Sequence, residues 1–137
     1  MKKLNLLIIN LILVLALTSC DFNAPLRNEM IDYYSENKNY VTLSGEITES
    51  NDNLVEIKCE ELINYINYAK ETCYYLIYSK QTIELSVGDQ IEFVTVPFHF
   101  YNGHTLPIVE LKKDGETLLS CEEGKENLIN WVKTTFK

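Results

Sequence analysis

The sequence predicts a mainly β domain, a small closed or partly closed barrel of five or six strands with a helix at each end. Alternating apolar and polar residues begin at Tyr40 and recur in short segments through residue 120. Two dipeptides typical of hairpin turns, Asn102-Gly103 and Asp114-Gly115, lie in the second half of the chain. Helical spacing of apolar residues is clearest over residues 24–35 and after Ser120. The alternatives are an α+β sheet and an open β-sandwich.

The first twenty residues have the pattern of a secretory signal peptide. Met1-Lys2-Lys3 is positively charged, residues 4–17 are almost wholly apolar, and small residues precede Cys20. The apolar run of roughly 14 residues is shorter than the roughly 20 that a membrane-spanning helix needs. Leu17-Thr18-Ser19-Cys20 resembles the lipobox of bacterial lipoproteins. That resemblance implies lipid on Cys20, cleavage before it, and a protein anchored in the cell membrane and facing outside the cytoplasm. The alternative is an ordinary signal peptide with an incidental cysteine.

Three segments follow from this pattern. Residues 1–19 are predicted to be the signal peptide, residues 20–39 a lipidated tether with a short helix, and residues 40–137 the barrel with its C-terminal helix. Cleavage would leave about 118 residues, enough for one hydrophobic core.

Charge excludes one large class of partner. The 137-residue chain has a formal charge of −8, and loss of Lys2 and Lys3 with the signal peptide takes it to −10. Nucleic-acid binding depends on Lys and Arg at phosphates, and Arg27 is the only arginine. We therefore expect no nucleic-acid partner.

Local patterns predict each element in turn. Pro25 suits the first turn of a helix, and Leu26, Met30 and Tyr33 or Tyr34 recur at helical spacing. The predicted strands, in order, span residues 40–47, 54–59, 73–79 and 90–98, with 82–85 as a short strand or a turn and 60–72 left ambiguous. Gly45 is expected to mark a bulge or bend.

Two hairpins and a helix complete the prediction. Asn102-Gly103 would pair residues 98–101 with 104–107, and Asp114-Gly115 would pair 109–113 with 116–120, with Lys113 opposite Glu116. Ser120 and Glu123 have the spacing of a capping box at the start of the last helix. Its apolar stripe is Leu128, Val132 and Phe136, with Trp131 predicted to fill the core.

Two stretches carry a resemblance to the OB-fold, a five-stranded Greek-key barrel. They are the bulged strand over residues 40–47 and the Val87-Gly88-Asp89 turn that leads into residues 90–93. The chain also resembles small uncharacterised lipoproteins of low-GC Gram-positive bacteria over residues 33–131. That likeness rests on Leu106-Pro107-Ile108-Val109 and on the segments at 34–41 and 118–128. It implies a cell-envelope lipoprotein and brings no activity or site residues.

Catalytic and metal chemistry are not predicted. No nucleophile elbow, phosphate loop, zinc-protease motif or calcium loop occurs in the sequence. His99 and His104 would share one face of the first hairpin, but no third metal ligand is evident beside them. We expect no enzyme activity, no cofactor and no metal.

Three cysteines remain once Cys20 is lipidated: Cys59, Cys73 and Cys121. An odd number cannot pair fully within one chain. Cys59 shares its parity with Val55 and Ile57, which predicts a buried apolar residue. A Cys59–Cys73 disulfide stays open as the alternative in an extracellular compartment.

The tyrosines are the one suggestive constellation. On an OB-fold the middle of the chain falls near the second and third strands, the usual ligand face. The predicted ligand face consists of Tyr65, Tyr68, Tyr74, Tyr75 and Tyr78. The alternative is that these aromatic rings are simply good strand and core residues.

The functional prediction is a membrane-anchored, non-enzymatic binding module. Its partners would be the membrane, through lipid on Cys20, and a cell-wall glycan, a peptide or a protein, through the tyrosines. The alternative is a structural or accessory envelope protein without a small-molecule ligand.

Overall fold

Six strands and two helices make up most of the computed structural model, which describes residues 21–66, 72–98 and 105–137. The helices are α1 (Ala24–Ser35) and α2 (Cys121–Thr135). The strands are β1 (Val41–Asn51), β2 (Leu54–Lys58), β3 (Thr72–Ile77), β4 (Gln90–Thr95), β5 (Thr105–Lys113) and β6 (Glu116–Leu119). Short 3₁₀ turns lie at Asn37–Asn39 and Glu60–Asn64.

Five of the strands close into a barrel. The sheet order is β3-β2-β1-β4-β5-β6, and β3 also pairs with β5. That last pairing is parallel, running from Tyr74 opposite Thr105 to Ile77 opposite Ile108, whereas the other strand pairs are antiparallel. The ring β1-β2-β3-β5-β4 is the topology of an OB-fold-like barrel. The predicted mainly β fold class is confirmed, and closure of the ring distinguishes it from an open sandwich.

Strand β1 is long because it serves two neighbours. Its first half pairs with β4 and its second half with β2, and a bulge separates Ile47 from Glu49. Gly45 lies just before the bulge, where a Cβ would come within 2.5 Å of Ile57 Cγ2. The missing side chain therefore lets β2 pass close to β1, while the bulge predicted at this glycine lies three residues further on, at Thr48.

The barrel interior is apolar and closely filled. Tyr75 and Phe93 meet there edge to face, with ring centroids 5.1 Å apart. Fully buried aliphatic side chains from β1, β2 and β5 belong to the same core: Leu43, Ile47, Val55, Ile57, Leu106, Ile108 and Leu111. On β1 and β2 these residues alternate with more exposed ones, as expected for a sheet with one face in the core. On β5, Pro107 and Val109 are buried as well, because the outer side of that strand is also covered.

A second core lies outside the barrel, beneath the two helices. Val96 contributes from just after β4 and Val109 from the middle of β5, and Met30, Tyr34, Leu128 and Val132 contribute from α1 and α2. Helix α1 has the predicted bounds. It lies in the segment predicted as tether and short helix, and its buried side chains make it part of the folded body. Trp131, the predicted core residue, lies half-buried at the edge of this second core, 5.7 Å from the Tyr78 ring.

The remaining local predictions have mixed outcomes. Asp114 and Gly115 both have positive φ, 53° and 80°, so the predicted hairpin turn is confirmed. The Ser120 hydroxyl accepts a hydrogen bond from the Glu123 N–H, as the capping box predicts. Lys113 lies opposite Glu116 in register, yet its ammonium pairs with Asp89 at 2.7 Å.

Two strand predictions differ from the structure. Strand β4 ends at Thr95 rather than at Phe98, because the Phe98 N–H closes a tight turn on the Val96 carbonyl at 2.8 Å. Residues 82–85 join no strand; the Ile83 N–H instead donates to the side chain of Asn53. The hairpin predicted around Asn102-Gly103 lies mostly outside the described residues.

Candidate functional site

The two described helices cover one side of the barrel. Helices α1 and α2 lie against the outside of β4 and β5. Among the described residues, no helix or strand covers the outer surface of β2 and β3. We call this surface the β2–β3 face and define it by six side chains: Thr48, Glu49, Leu54, Glu56, Tyr74 and Leu76. It is the surface that OB-folds commonly use for ligands.

Strand register aligns this face into rows. Glu49 of β1 lies opposite Glu56 of β2, and Glu56 lies opposite Tyr74 of β3. The next row places Leu54 opposite Leu76. Side chains directly opposite each other in antiparallel strands are about 5 Å apart at Cβ. An acidic row with one aromatic ring therefore lies beside an apolar row.

The acidic row is joined by hydrogen bonds. The Tyr74 hydroxyl donates to Glu49 Oε2 at 3.1 Å, and the Thr48 hydroxyl donates to Glu56 Oε2 at 2.7 Å. The hydrogen bond to Glu49 and the negative charges of Glu49 and Glu56 raise the pKa of Tyr74. The exposed fraction of the Tyr74 side chain, 39%, leaves part of the ring open to a ligand.

Two like charges face each other in this row. Glu49 and Glu56 are register partners, and like charges directly opposite on a sheet are destabilising. Within the described residues, no lysine or arginine forms an ion pair with either carboxylate. A cationic group placed over the row would relieve that repulsion.

Asn53 fixes one end of the face. It lies in the turn between β1 and β2, and its side-chain amide donates to the carbonyls of Ser79 and Gln81. The backbone carbonyl of Asn53 accepts a hydrogen bond from the Ile77 N–H at 2.8 Å. These bonds hold the chain after β3 around the β1–β2 turn and set the position of Leu54 beside Leu76.

A shallow open groove of about 370 Å³ lies near the other end of the face. Its lining is mainly polar and acidic: Ser44, Gly45, Glu46, Lys58, Glu60, Glu61 and Gln90. Glu46 Oε2 accepts a hydrogen bond from the Gln90 side chain at 3.0 Å. The groove adds negative potential next to the acidic row and offers no enclosed cavity.

The five predicted tyrosines do not share one surface. Tyr75 is fully buried inside the barrel, because its parity on β3 is that of Val55 and Ile57 on β2. Tyr78 packs against Trp131 in the second core. Tyr74 and Tyr65 are exposed, but Tyr65 follows the Glu60–Asn64 turn rather than lying on the sheet. Tyr68 lies outside the described residues. Of this set, only Tyr74 is placed on the β2–β3 face.

Sequence reasoning missed the carboxylates and leucines around Tyr74. Glu49, Glu56, Leu54 and Leu76 come from three strands, and only their register brings them together. The sequence does indicate that Glu56 faces outward, because it alternates with Val55 and Ile57 on β2.

Other predicted features fall on residues that are not described. Cys20, His99 and His104 all lie outside the described ranges. Within residues 21–66, 72–98 and 105–137, no three His, Cys, Asp or Glu side chains are grouped so as to hold a metal ion. No helix in these ranges is long and apolar enough to cross a membrane.

Similarity to known proteins is limited to partial matches with solved structures. No family model matches the chain, and no curated protein matches it significantly. Among solved structures, silver-bound CusF from Escherichia coli is 19% identical over 55% of this chain and 91% of that chain, with a TM-score of 0.41. Its apo form is 18% identical over 55% of this chain and 87% of that chain, again with a TM-score of 0.41. We transfer no ligand from so partial a superposition.

Proposed function

We propose that this protein is a lipid-anchored, extracytoplasmic, non-enzymatic binding module whose β2–β3 face holds a cationic, partly apolar segment of a peptide or protein. The observation that carries the proposal is the row of Glu49, Glu56 and Tyr74 beside the apolar pair Leu54 and Leu76. Such a face complements a lysine or arginine flanked by an aliphatic residue.

The chemistry of the row favours a cation. Glu49 and Glu56 offer two carboxylates to an ammonium or guanidinium group. Hydrogen bonds between such charged groups are stronger than hydrogen bonds between neutral groups. The exposed part of the Tyr74 ring offers a cation–π contact, worth roughly 0.5–1 kcal/mol at exposed sites. Leu54 and Leu76 would bury the aliphatic part of the same segment.

A glycan is the less favoured ligand. Sugar binding by stacking needs flat exposed aromatic surface. Tyr75 is buried in the barrel and Tyr78 packs in the second core, so Tyr74 is the one ring that the described residues place on this face. One ring at the end of a row of two carboxylates suits a cation better than a sugar chain.

The proposed anchor suits this use of the face. Helix α1 begins four residues after Cys20, so lipid on that cysteine would hold the helical side of the barrel close to the membrane. In the ring β1-β2-β3-β5-β4, β2 lies across the barrel from the helix-covered β4 and β5. The β2–β3 face would then point away from the lipid.

Binding of defined probes tests the proposal. The full chain, purified in detergent, is titrated into a fluorescent peptide of alternating Lys and Leu and, separately, into its Glu-Leu counterpart. We expect anisotropy to report binding of the basic peptide alone. The double variant Glu49→Gln/Glu56→Gln should weaken it about tenfold, a loss of about 1.4 kcal/mol. High salt should reduce wild-type binding to the same level.

A matched control removes the same charge elsewhere. The double variant Glu122→Gln/Glu123→Gln lies at the exposed start of α2 and should bind like wild type. Equal losses in both double variants would show only a net-charge effect and would overturn the assigned face. Co-sedimentation with purified peptidoglycan that depends on Tyr74 but not on Glu49 and Glu56 would replace the peptide by a glycan. Binding of neither probe would favour the structural or accessory alternative.

A further inference from the structure

Cys59 and Cys73 lie near each other in the barrel core, on the opposite side of the sheet from the β2–β3 face. Cys73 of β3 lies opposite Ile57 of β2, and Cys59 follows Ile57 by two residues on the same inward side. The two cysteines are therefore diagonal neighbours on adjacent antiparallel strands. Such diagonals span about 7–8 Å between Cα atoms and less between Cβ atoms, whereas disulfides usually span 4.4–6.8 Å between Cα atoms. The gap is about an ångström.

The local backbone can close that gap. The β2–β3 ladder ends at the pair Lys58 and Thr72, so Cys59 is the first residue beyond it. No strand pairing fixes its position, and the Glu60–Asn64 turn begins directly after it. A small inward movement of this one residue would bring the two sulfurs to bonding distance.

The surroundings of the two sulfurs are unusual for an apolar core. The Tyr75 hydroxyl is buried, has no hydrogen-bond partner among the described residues, and interacts electrostatically with both thiols. Burial raises the pKa of the Cys59 thiol, while N–H groups of Leu62 and Glu61 donate to its sulfur and lower that pKa in part. A phenol hydroxyl and two backbone N–H groups therefore accompany the pair in a core that is otherwise apolar.

The third cysteine lies elsewhere. Cys121 begins α2 and packs in the second core, whereas Cys59 and Cys73 belong to the barrel. Among the described cysteines, Cys59 and Cys73 are therefore the pair that shares one core.

We propose that Cys59 and Cys73 are a modification site, a dithiol that oxidises to an intramolecular disulfide once the chain is outside the cytoplasm. The cysteines are in the reduced state in the structure. The oxidant is a disulfide-bearing molecule, either a thiol oxidase outside the cell or oxidised glutathione in the test tube. This inference stands whether or not the β2–β3 face binds a cation.

The order of steps follows from accessibility. Cys73 is half-buried and Cys59 is fully buried, so Cys73 meets the oxidant first. Its thiolate attacks the external disulfide and expels one thiolate, forming a mixed disulfide. The Cys59 thiolate then attacks the Cys73 sulfur and expels the second thiolate. Two protons leave the cysteines, and two electrons reduce the external disulfide to two thiols.

Mass spectrometry of the full chain tests the proposal. Treatment with oxidised glutathione should lower the intact mass by about 2 Da, and proteolysis without reductant should yield one peptide pair joining Cys59 to Cys73. The variant Cys121→Ser should behave identically, whereas Cys73→Ser should keep its mass or gain a glutathione adduct. Reduction of the wild-type disulfide should lower the melting temperature by at least about 5 °C, because the bond closes a loop of some 15 residues.

Several outcomes would overturn the proposal. One is an unchanged wild-type mass with both cysteines still alkylated by iodoacetamide after oxidation. Another is separate glutathione adducts on Cys59 and Cys73, which would show that the two sulfurs do not meet. A disulfide that includes Cys121 would show that the proposed pair is wrong. Peptide mapping distinguishes these outcomes in the wild-type protein, so the buried substitution Cys59→Ser, which would disturb folding, is not needed. The result does not depend on the state of Cys20.

Discussion

Gly124 is the residue at which α2 touches the barrel without an intervening side chain. It is buried in the first turns of the helix, and a Cβ built on it would lie 2.0 Å from the Val109 carbonyl oxygen. That oxygen belongs to the backbone of β5, so it cannot rotate away as a side chain could. Close approach of α2 to β5 therefore depends on this glycine.

We predict that Gly124→Ala destabilises the protein by about 1–3 kcal/mol through overpacking. Alanine is the better helix former by about 1 kcal/mol, but the helix must shift outward to admit the methyl group. Urea unfolding measures the change. Glu126→Ala, at an exposed position on the same helix, is the control and should stay within about 0.5 kcal/mol of wild type. A Gly124→Ala protein as stable as wild type would mean that α2 does not pack this closely.

At the scale of elements, the turn before β4 connects three strands. Asp89 Oδ2 accepts from the Ser86 N–H at 2.8 Å and from the Lys113 ammonium at 2.7 Å. The Asp89 carbonyl accepts from the Ile47 N–H at 2.9 Å. The turn thereby ties β4 to the bulge of β1 and to the end of β5.

The charge on Asp89 makes this junction sensitive to acid. Its hydrogen bond to Lys113, and then that from Ser86, hold the pKa of Asp89 below its ordinary value. A depressed carboxyl pKa means that the stabilisation is complete above the ordinary value of about 3.9 and is lost as pH falls through the folded-state pKa. We predict that the unfolding midpoint of wild type falls more steeply below about pH 4 than that of Asp89→Asn.

The matched control for this acid effect is Glu84→Gln, an exposed position in the loop before the turn. Its unfolding midpoint should follow wild type over the whole pH range. The midpoints are measured by urea unfolding at several pH values. If the midpoints of wild type and Asp89→Asn fall in parallel with pH, the proposed role of the turn is contradicted.

Elements defined by neighbours in sequence were predictable. Helix α1, the hairpin at Asp114-Gly115 and the start of α2 each depend on local spacing, turn or capping residues, and the structure has all three. Their interactions span only a few residues, so periodicity is sufficient to predict them.

Strand β3 shows where sequence reasoning stops. Apolar or aromatic residues occupy both faces of this strand, namely Cys73, Tyr74, Tyr75 and Leu76. The alternation of polar and apolar residues that identifies the buried face of a strand is therefore absent. The ladder to β2, where Val55 and Ile57 clearly face inward, decides that Tyr75 is core and Tyr74 is surface. The candidate site could not be assembled from sequence, because three strands far apart in the chain contribute to it.

At the scale of the whole molecule, the barrel separates packing from exposure. Two helices cover β4 and β5 and bury a second core, while the opposite surface carries the exposed row of carboxylates and Tyr74. Anchoring through Cys20 would act on the helical side, and that proposal can be tested without knowledge of any ligand.

We predict that Cys20→Ala releases the protein from membranes or leaves it as an unprocessed precursor, because position 20 then has no thiol to carry lipid. Fractionation of the producing bacterium, with intact mass of the product, measures both results. Cys121→Ala serves as the control and should remain in the membrane fraction at the mass expected for its substitution. Unchanged membrane attachment and processing of Cys20→Ala would refute the lipid anchor.

The start of α1 and the last residues of the chain are joined by hydrogen bonds. Asn23 Nδ2 donates to the Lys137 carbonyl at 3.1 Å, and the Arg27 guanidinium donates to the Phe136 carbonyl at 2.8 Å. A fluorescent reporter fused after Lys137 would therefore sit beside the proposed anchor, crowding the bilayer and straining this contact. A label inserted at the exposed tip of the Asp114-Gly115 hairpin would leave that junction untouched, which makes it the better position for imaging the protein in the cell envelope.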